Sequence, residues 1–95
     1  MTHPVPPAAR LPERLTLNEA DAALRQLLAS VSAPPGSVVQ VDASPLQQFD
    51  SSAVAVLLEV GRQLQGQGSR LQVVGLPGRL RDLLALYGVE SLLPA

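Results

Sequence analysis

The fold is decided by residues 38–58, which read VVQVDASPLQQFDSSAVAVLL. The first five of these include three valines, so apolar residues fall on both faces of an extended chain, as is typical of a buried parallel strand. From residue 52 onward the apolar residues follow the 3.6-residue period of a helix, which predicts a helix over residues 52–65. Its inner face is expected to consist of Ala53, Val56, Leu57, Val60, Gly61 and Leu64. A buried strand that leads through a short polar loop into a helix indicates an α/β fold.

Strands and helices also alternate on both sides of this stretch. A first helix is predicted to begin at an N-cap, Asn18, and to end at the breaker APPG, residues 33–36. A second buried strand is predicted over residues 71–74, followed by a third helix whose first turn holds Pro77. The inner face of that helix is expected to be Leu80, Leu83, Leu84 and Tyr87. We therefore expect a mostly parallel sheet of about four strands with helices packed on it, in which the first strand, within residues 8–17, is short or missing.

Composition indicates one small domain with an aliphatic core. The chain has 95 residues, of which 46% are hydrophobic, and its only aromatic residues are Phe49 and Tyr87. Four of its nine prolines fall within the first twelve residues. Because proline lacks a backbone donor, residues 1–7 are expected to form a tail or an edge segment, and residues 8–95 the domain. Charged residues make up 16% of the chain, below the usual share of about 25%, which leaves apolar surface for a partner.

The residue types exclude several classes of function. Seven arginines, no lysine and eight acidic residues give a net charge of −1, which does not suit a nucleic-acid binder. A P-loop needs a lysine, and thiolate zinc sites and disulfides need cysteine, which the chain also lacks. The single histidine, His3, lies in the proline-rich segment, whereas a metal site needs three or four ligands. We therefore expect no catalytic residue, no metal and no cofactor, and thus a protein that is not an enzyme.

Membrane insertion is not expected either. The longest aliphatic run, residues 53–58, is far shorter than the roughly 20 residues that span a bilayer. The first ten residues contain no apolar segment of the kind found in signal peptides.

One polar cluster, Asp50-Ser51-Ser52, stands directly before the central helix. Its carboxylate and hydroxyls can cap the free N–H groups of the first helical turn, and this structural role alone would explain them. The same groups would also form an exposed polar platform. A phosphate on either serine would be stabilised by the helix N-terminus and repelled by Asp50, so the platform could act as a switch. The residues alone leave both interpretations open.

The chain resembles the STAS domain family. Residues 39–42, VQVD, followed after a loop by residues 49–58, FDSSAVAVLL, are similar to its signature, and residues 11–16, LPERLT, resemble its entry to the first helix. Residues 76–80, LPGRL, and residues 84–88, LALYG, resemble the MlaB-like members in particular. The resemblance covers the chain from about residue 8 to its end and implies the STAS fold.

The MlaB-like resemblance implies an interaction domain that binds and regulates or stabilises the ATP-binding subunit of a phospholipid-transport ABC complex of the Mla type, which maintains outer-membrane lipid asymmetry. Such a domain is cytoplasmic and is held at the inner face of the inner membrane through its partner. Without that partner it can form a homodimer through its apolar patch. The residues expected to bind the partner are Gln48, Asp50, Ser51, Ser52, Val54 and Ala55.

The resemblance also implies an alternative, an anti-sigma factor antagonist switched by serine phosphorylation. In those proteins the phosphorylated hydroxyl is the second after the aspartate, which is Ser52 here, whereas in MlaB-like domains the contact hydroxyl is the first, which is Ser51. Both serines are therefore candidate phosphorylation sites. The sparse charge and the apolar C-terminal stretch favour a partner that stays bound over a transient kinase.

Overall fold

The structure is a computed structural model that describes residues 9–31 and 34–87. Within these residues the chain forms five strands and three helices. They are β1 (Ala9–Arg10), β2 (Arg14–Leu15), α1 (Ala20–Ser30), β3 (Val38–Asp42), β4 (Gln48–Phe49), α2 (Ser51–Gly66), β5 (Arg70–Val74) and α3 (Gly78–Leu86). The α/β class is confirmed. The predicted tail, residues 1–7, and the apolar C-terminal stretch lie outside the described residues.

The strands form two small sheets, one with the order β1-β3-β5 and one that pairs β2 with β4. All three pairings in the described part of the chain are parallel, as predicted. The sequence suggested one sheet of about four strands, whereas the described residues form five strands in two sheets. The segment before α1 contributes two strands instead of one, and residues 48–49, expected to belong to a loop, form β4. The first strand is short, as expected, and Pro12 follows it closely. Proline has no N–H to donate to a longer ladder.

The helices cover one face of the larger sheet, since β3 and β5 both alternate between buried and more exposed residues. Val41 and Val73 are opposite each other in the register and are fully buried. On the other face Gln40 Nε2 donates to Gln72 Oε1 at 2.8 Å, and Val38 is 57% exposed. The expectation that β3 is buried on both faces is therefore wrong, because only its alternate residues point toward the helices. Its expected central place in a parallel sheet is confirmed, since β3 lies between β1 and β5.

The core face of α2 agrees with the predicted period at five of the six expected positions, and the sixth, Gly61, is half-buried. Its buried residues are Ala53, Val54, Val56, Leu57, Val60 and Leu64. The prediction for α3 holds less well, because Leu80 and Leu84 are fully buried but Tyr87, at the C-cap, is 57% exposed. Leu86 and Tyr87 are both exposed, so the C-terminal end of α3 does not pack on the core. Over residues 9–31 and 34–87, none of the helices combines the length and the apolar character that crossing a bilayer requires.

The start of α1 differs from the prediction that Asn18 is its N-cap. Glu19 holds the N-cap position. Its Oε1 accepts hydrogen bonds from the Thr16 N–H at 2.9 Å and from the Thr16 hydroxyl at 2.7 Å. These bonds lower the pKa of Glu19, the hydroxyl having the largest effect. Thr16 and Glu19 have the Thr-x-x-Glu spacing of a capping box, and the hydrogen bonds between them fix this turn. Asn18 lies within the same four residues, so it does not take the N-cap position that was predicted for it.

Candidate functional site

The candidate site lies where the smaller sheet meets the N-terminus of α2. In that sheet Leu15 pairs with Phe49, the last residue of β4. The Glu13 carbonyl accepts the N–H of Gln47 at 2.7 Å and that of Gln48 at 3.1 Å. These bonds hold the turn before α1 beside the turn before α2. Two loops that are distant in sequence therefore form one surface.

Asp50 joins these two loops through its carboxylate. Its Oδ1 accepts the Ser52 N–H at 2.8 Å and caps α2, while its Oδ2 accepts the Leu17 N–H at 3.2 Å. The Ser52 N–H is the main cause that holds the pKa of Asp50 below its ordinary value, and the Leu17 N–H acts in the same direction. Asp50 is therefore ionised at neutral pH, which suits both the helix N-terminus and the second loop.

The two serines differ in exposure. Ser51 is exposed and its hydroxyl makes no hydrogen bond within the described residues, whereas Ser52 is half-buried. Asp50, rather than the two hydroxyls, provides the side-chain cap of the helix. The Ser51 hydroxyl is therefore available to a partner as donor and acceptor.

Of the other predicted partner-binding residues, Gln48 and Ala55 are exposed. Ala55 is one helical turn after Ser51, so both lie on the same face of α2. Val54 is 2% exposed and packs in the core, so it offers no contact surface, and its inclusion in the predicted set is corrected. Val54 thus joins the buried face of α2, although the period did not place it there.

Two features of the site were missed by the sequence interpretation. The first is Leu17, which lies beside Asp50 and is 77% exposed. The spacing of apolar residues in the sequence did not identify it as part of the site. The Thr16-x-x-Glu19 capping motif was the signal that places Leu17 in a turn rather than on a helix face. The second feature is Arg79, whose guanidinium carbon lies 5.9 Å from the centre of the Phe49 ring. This cation–π contact brings the start of α3 to the site, and no local pattern predicts it.

The arrangement suits contact with a macromolecule. It combines an exposed hydroxyl, an ionised carboxylate and an exposed leucine on the turns that precede two helices. Within residues 9–31 and 34–87, no group of three or more His, Asp or Glu residues is placed to hold a metal ion. Every buried side-chain nitrogen or oxygen in that part of the chain has a hydrogen-bond partner.

Comparison with known families shows that the chain matches the family model described as "Mlab, STAS domain" over residues 3–94. The match includes both sheets, all three helices and the whole candidate site. No curated protein matches the chain.

Proposed function

This chain belongs to the MlaB-like family of STAS domains, and from that membership we propose that it binds the ATP-binding subunit of an Mla-type phospholipid-transport ABC complex. STAS domains are in general interaction domains without enzymatic activity. The domain would regulate or stabilise the ATPase and contribute no catalytic group of its own. Through this partner it would be held at the inner face of the inner membrane.

The observation that carries the proposal is the state of Ser51. This residue is exposed, its hydroxyl is free of bonds within the described residues, and it begins a helix that Asp50 holds in place. A polar group on a fixed backbone loses little conformational freedom when a partner binds it. In MlaB-like domains the contact hydroxyl follows the aspartate directly, and Ser51 occupies that position.

The proposed mechanism is differential binding. A domain that binds one conformation of the ATPase more tightly than another shifts the equilibrium toward the first, by no more than the ratio of the two affinities. The same contact stabilises the folded ATPase by mass action, because the unfolded subunit has no docking surface. Neither effect needs a catalytic residue on this chain.

Alone, the domain would form a homodimer through its apolar surface.

Exposure also bears on the signalling alternative. A kinase must bring a hydroxyl into its own active site, and Ser52 is half-buried while its N–H is held by Asp50. Ser51 is the more accessible of the two serines, which supports partner contact over phosphorylation at Ser52. Addition of about 80 Da at Ser52 by a serine kinase of the source cell would favour an anti-sigma factor antagonist instead.

The proposal is tested by placing a charge and extra bulk at Ser51. We expect Ser51→Glu to weaken binding to the purified ATP-binding subunit of the source organism's Mla-type transporter by at least about tenfold, measured by isothermal titration. The physical reason is that the longer side chain overfills a packed contact, and its carboxylate must be desolvated directly beside the like charge of Asp50.

The matched control is Gln65→Glu, which adds the same charge at an exposed position near the other end of α2. It should leave the affinity within about twofold of wild type. Wild-type protein that fails to bind the ATP-binding subunit, or a Ser51→Glu variant that binds as tightly as wild type, would contradict the proposal.

A further inference from the structure

Leu17 is an exposed leucine whose backbone is attached to the candidate site. A single leucine on a surface is ordinary, and Leu86, which is 83% exposed on α3, is an example. Leu17 differs because its N–H donates to Asp50 Oδ2, while the other oxygen of that carboxylate holds the Ser52 N–H. One carboxylate therefore sets the spacing between Leu17 and the first turn of α2.

The turn that carries Leu17 is also fixed from both of its ends. Two residues earlier, Leu15 is fully buried and pairs with Phe49. Two residues later, the Glu19 carboxylate binds the Thr16 N–H and hydroxyl. An apolar side chain held out on such a turn loses little backbone freedom on binding, which is the property of an interface anchor.

The charges around Leu17 indicate what it would enter. The two segments that form the site, residues 13–21 and 47–52, carry four carboxylates and one guanidinium group, and a second guanidinium group contacts them from α3. The carboxylates belong to Glu13, Glu19, Asp21 and Asp50, and the guanidinium groups to Arg14 and Arg79. Of these four carboxylates, only that of Glu19 forms an ion pair within the described residues, with Arg14 at 3.4 Å. A complementary partner surface would present an apolar pocket flanked by arginine or lysine.

We infer that Leu17 is the apolar anchor of the docking surface, that it enters an apolar pocket with a basic rim on the partner protein, and that Asp50 is the residue that positions it. The identity of the partner as an ATP-binding subunit rests on the proposed function. The choice of Leu17 and the basic rim rests on the geometry and charge given above.

The test compares two exposed leucines. Leu17→Ser should weaken binding to the ATP-binding subunit of the source organism's Mla-type transporter by at least about tenfold, whereas Leu86→Ser should stay within about twofold of wild type. Both variants should unfold at nearly the wild-type temperature, because neither side chain is packed in the core. The affinity of wild type should also fall as sodium chloride is raised, because salt screens the charged rim.

The positioning role of Asp50 needs a readout other than binding. Asp50→Asn keeps one acceptor oxygen, which should stay on the Ser52 N–H because asparagine is also a good N-cap, and replaces the other oxygen with an NH2 group that donates and does not accept. The variant should stay folded, release the Leu17 N–H and speed its hydrogen exchange in NMR, and bind more weakly than wild type. A folded variant with unchanged exchange at Leu17 would overturn the positioning role.

The outcomes separate this inference from the proposed function. If wild type does not bind the ATP-binding subunit, both fall. If wild type binds and Ser51→Glu does not, while Leu17→Ser binds as tightly as wild type, the anchor is wrong and the proposed function stands. If Leu86→Ser loses affinity as strongly as Leu17→Ser, the loss is not specific to the position of Leu17, and the inference is overturned.

Discussion

The two sheets of this domain have the same parallel pairing but serve different purposes. In the larger sheet β3 and β5 share five register pairs, and their inner residues Val41 and Val73 are fully buried. In the smaller sheet β2 and β4 share two pairs, and three of the four residues involved are exposed or half-buried. The larger sheet stabilises the fold, whereas the smaller one places two loops beside each other.

The difference shows how a small domain separates stability from recognition. The smaller sheet is attached to the core chiefly through Leu15, which is fully buried, while Gln48 and Arg14 face outward. Outward side chains on such a pair contribute little packing energy. Its sequence can therefore be selected for contact with a partner, provided that Leu15 stays buried.

The largest expected effect comes from breaking the end of the larger sheet at Gly75. Its φ is +69°, and an added Cβ would lie 2.9 Å from Asp42 Oδ1 and 3.0 Å from Ser44 Cβ. The same Asp42 oxygen accepts the Ser44 N–H at 2.9 Å, so it cannot move away freely. We expect Gly75→Ala to lower the free energy of unfolding by about 1–3 kcal/mol, measured by urea denaturation.

The control for that prediction is Gly66→Ala. Gly66 is the last residue of α2, and a Cβ there meets nothing within 4 Å. This variant should be as stable as wild type or slightly more stable, since alanine favours a helix. Folded Gly75→Ala should still bind the partner normally, because the strain lies in the larger sheet. If Gly75→Ala and Gly66→Ala were equally stable, the steric strain expected from a Cβ at position 75 would be contradicted.

A smaller effect is expected from acid at the smaller sheet. The pKa of Asp50 is held below its ordinary value of 3.8. Above pH 3.8 the charged carboxylate therefore stabilises this turn in full. The stabilisation is lost as the pH falls through the lowered pKa that Asp50 has in the folded protein. The amide signal of Leu17 in NMR should stay constant on the neutral side and shift with a midpoint below 3.8.

The matched variant for the pH series is Asp50→Asn, which cannot titrate at this position. Its Leu17 signal should lack the transition that wild type shows, although Glu19, whose pKa is also lowered, continues to titrate nearby. A wild-type midpoint at or above 3.8, or an identical transition in the variant, would show that Asp50 does not hold the Leu17 N–H.

The local patterns of the sequence predict most of the fold and the polar part of the site. The helical period identifies the buried face of α2, and the Asp-Ser-Ser cluster lies at its start as expected. The start of α1 was missed because two capping patterns overlap between Thr16 and Asp21, and their relative strength depends on which hydrogen bonds form. Tyr87 was misplaced because periodicity does not show where a helix leaves the core.

The missed part of the site is non-local. The bond between Asp50 and the Leu17 N–H joins residues 33 positions apart, and it forms only because β2 and β4 pair. The contact between Arg79 and Phe49 spans a similar distance and depends on how α3 packs. Neither residue pair has a spacing that a single sequence would mark. These are contacts that tertiary packing, rather than propensity, decides.

The most direct test of the docking surface is hydrogen–deuterium exchange of the full chain, with and without the purified ATP-binding subunit of the source organism's Mla-type transporter. Binding should slow exchange in peptides that cover residues 14–19 and residues 48–55, while peptides that cover residues 80–87 should exchange as in the free protein. Slowed exchange over residues 80–87, with none at Leu17 or Ser51, would contradict the account.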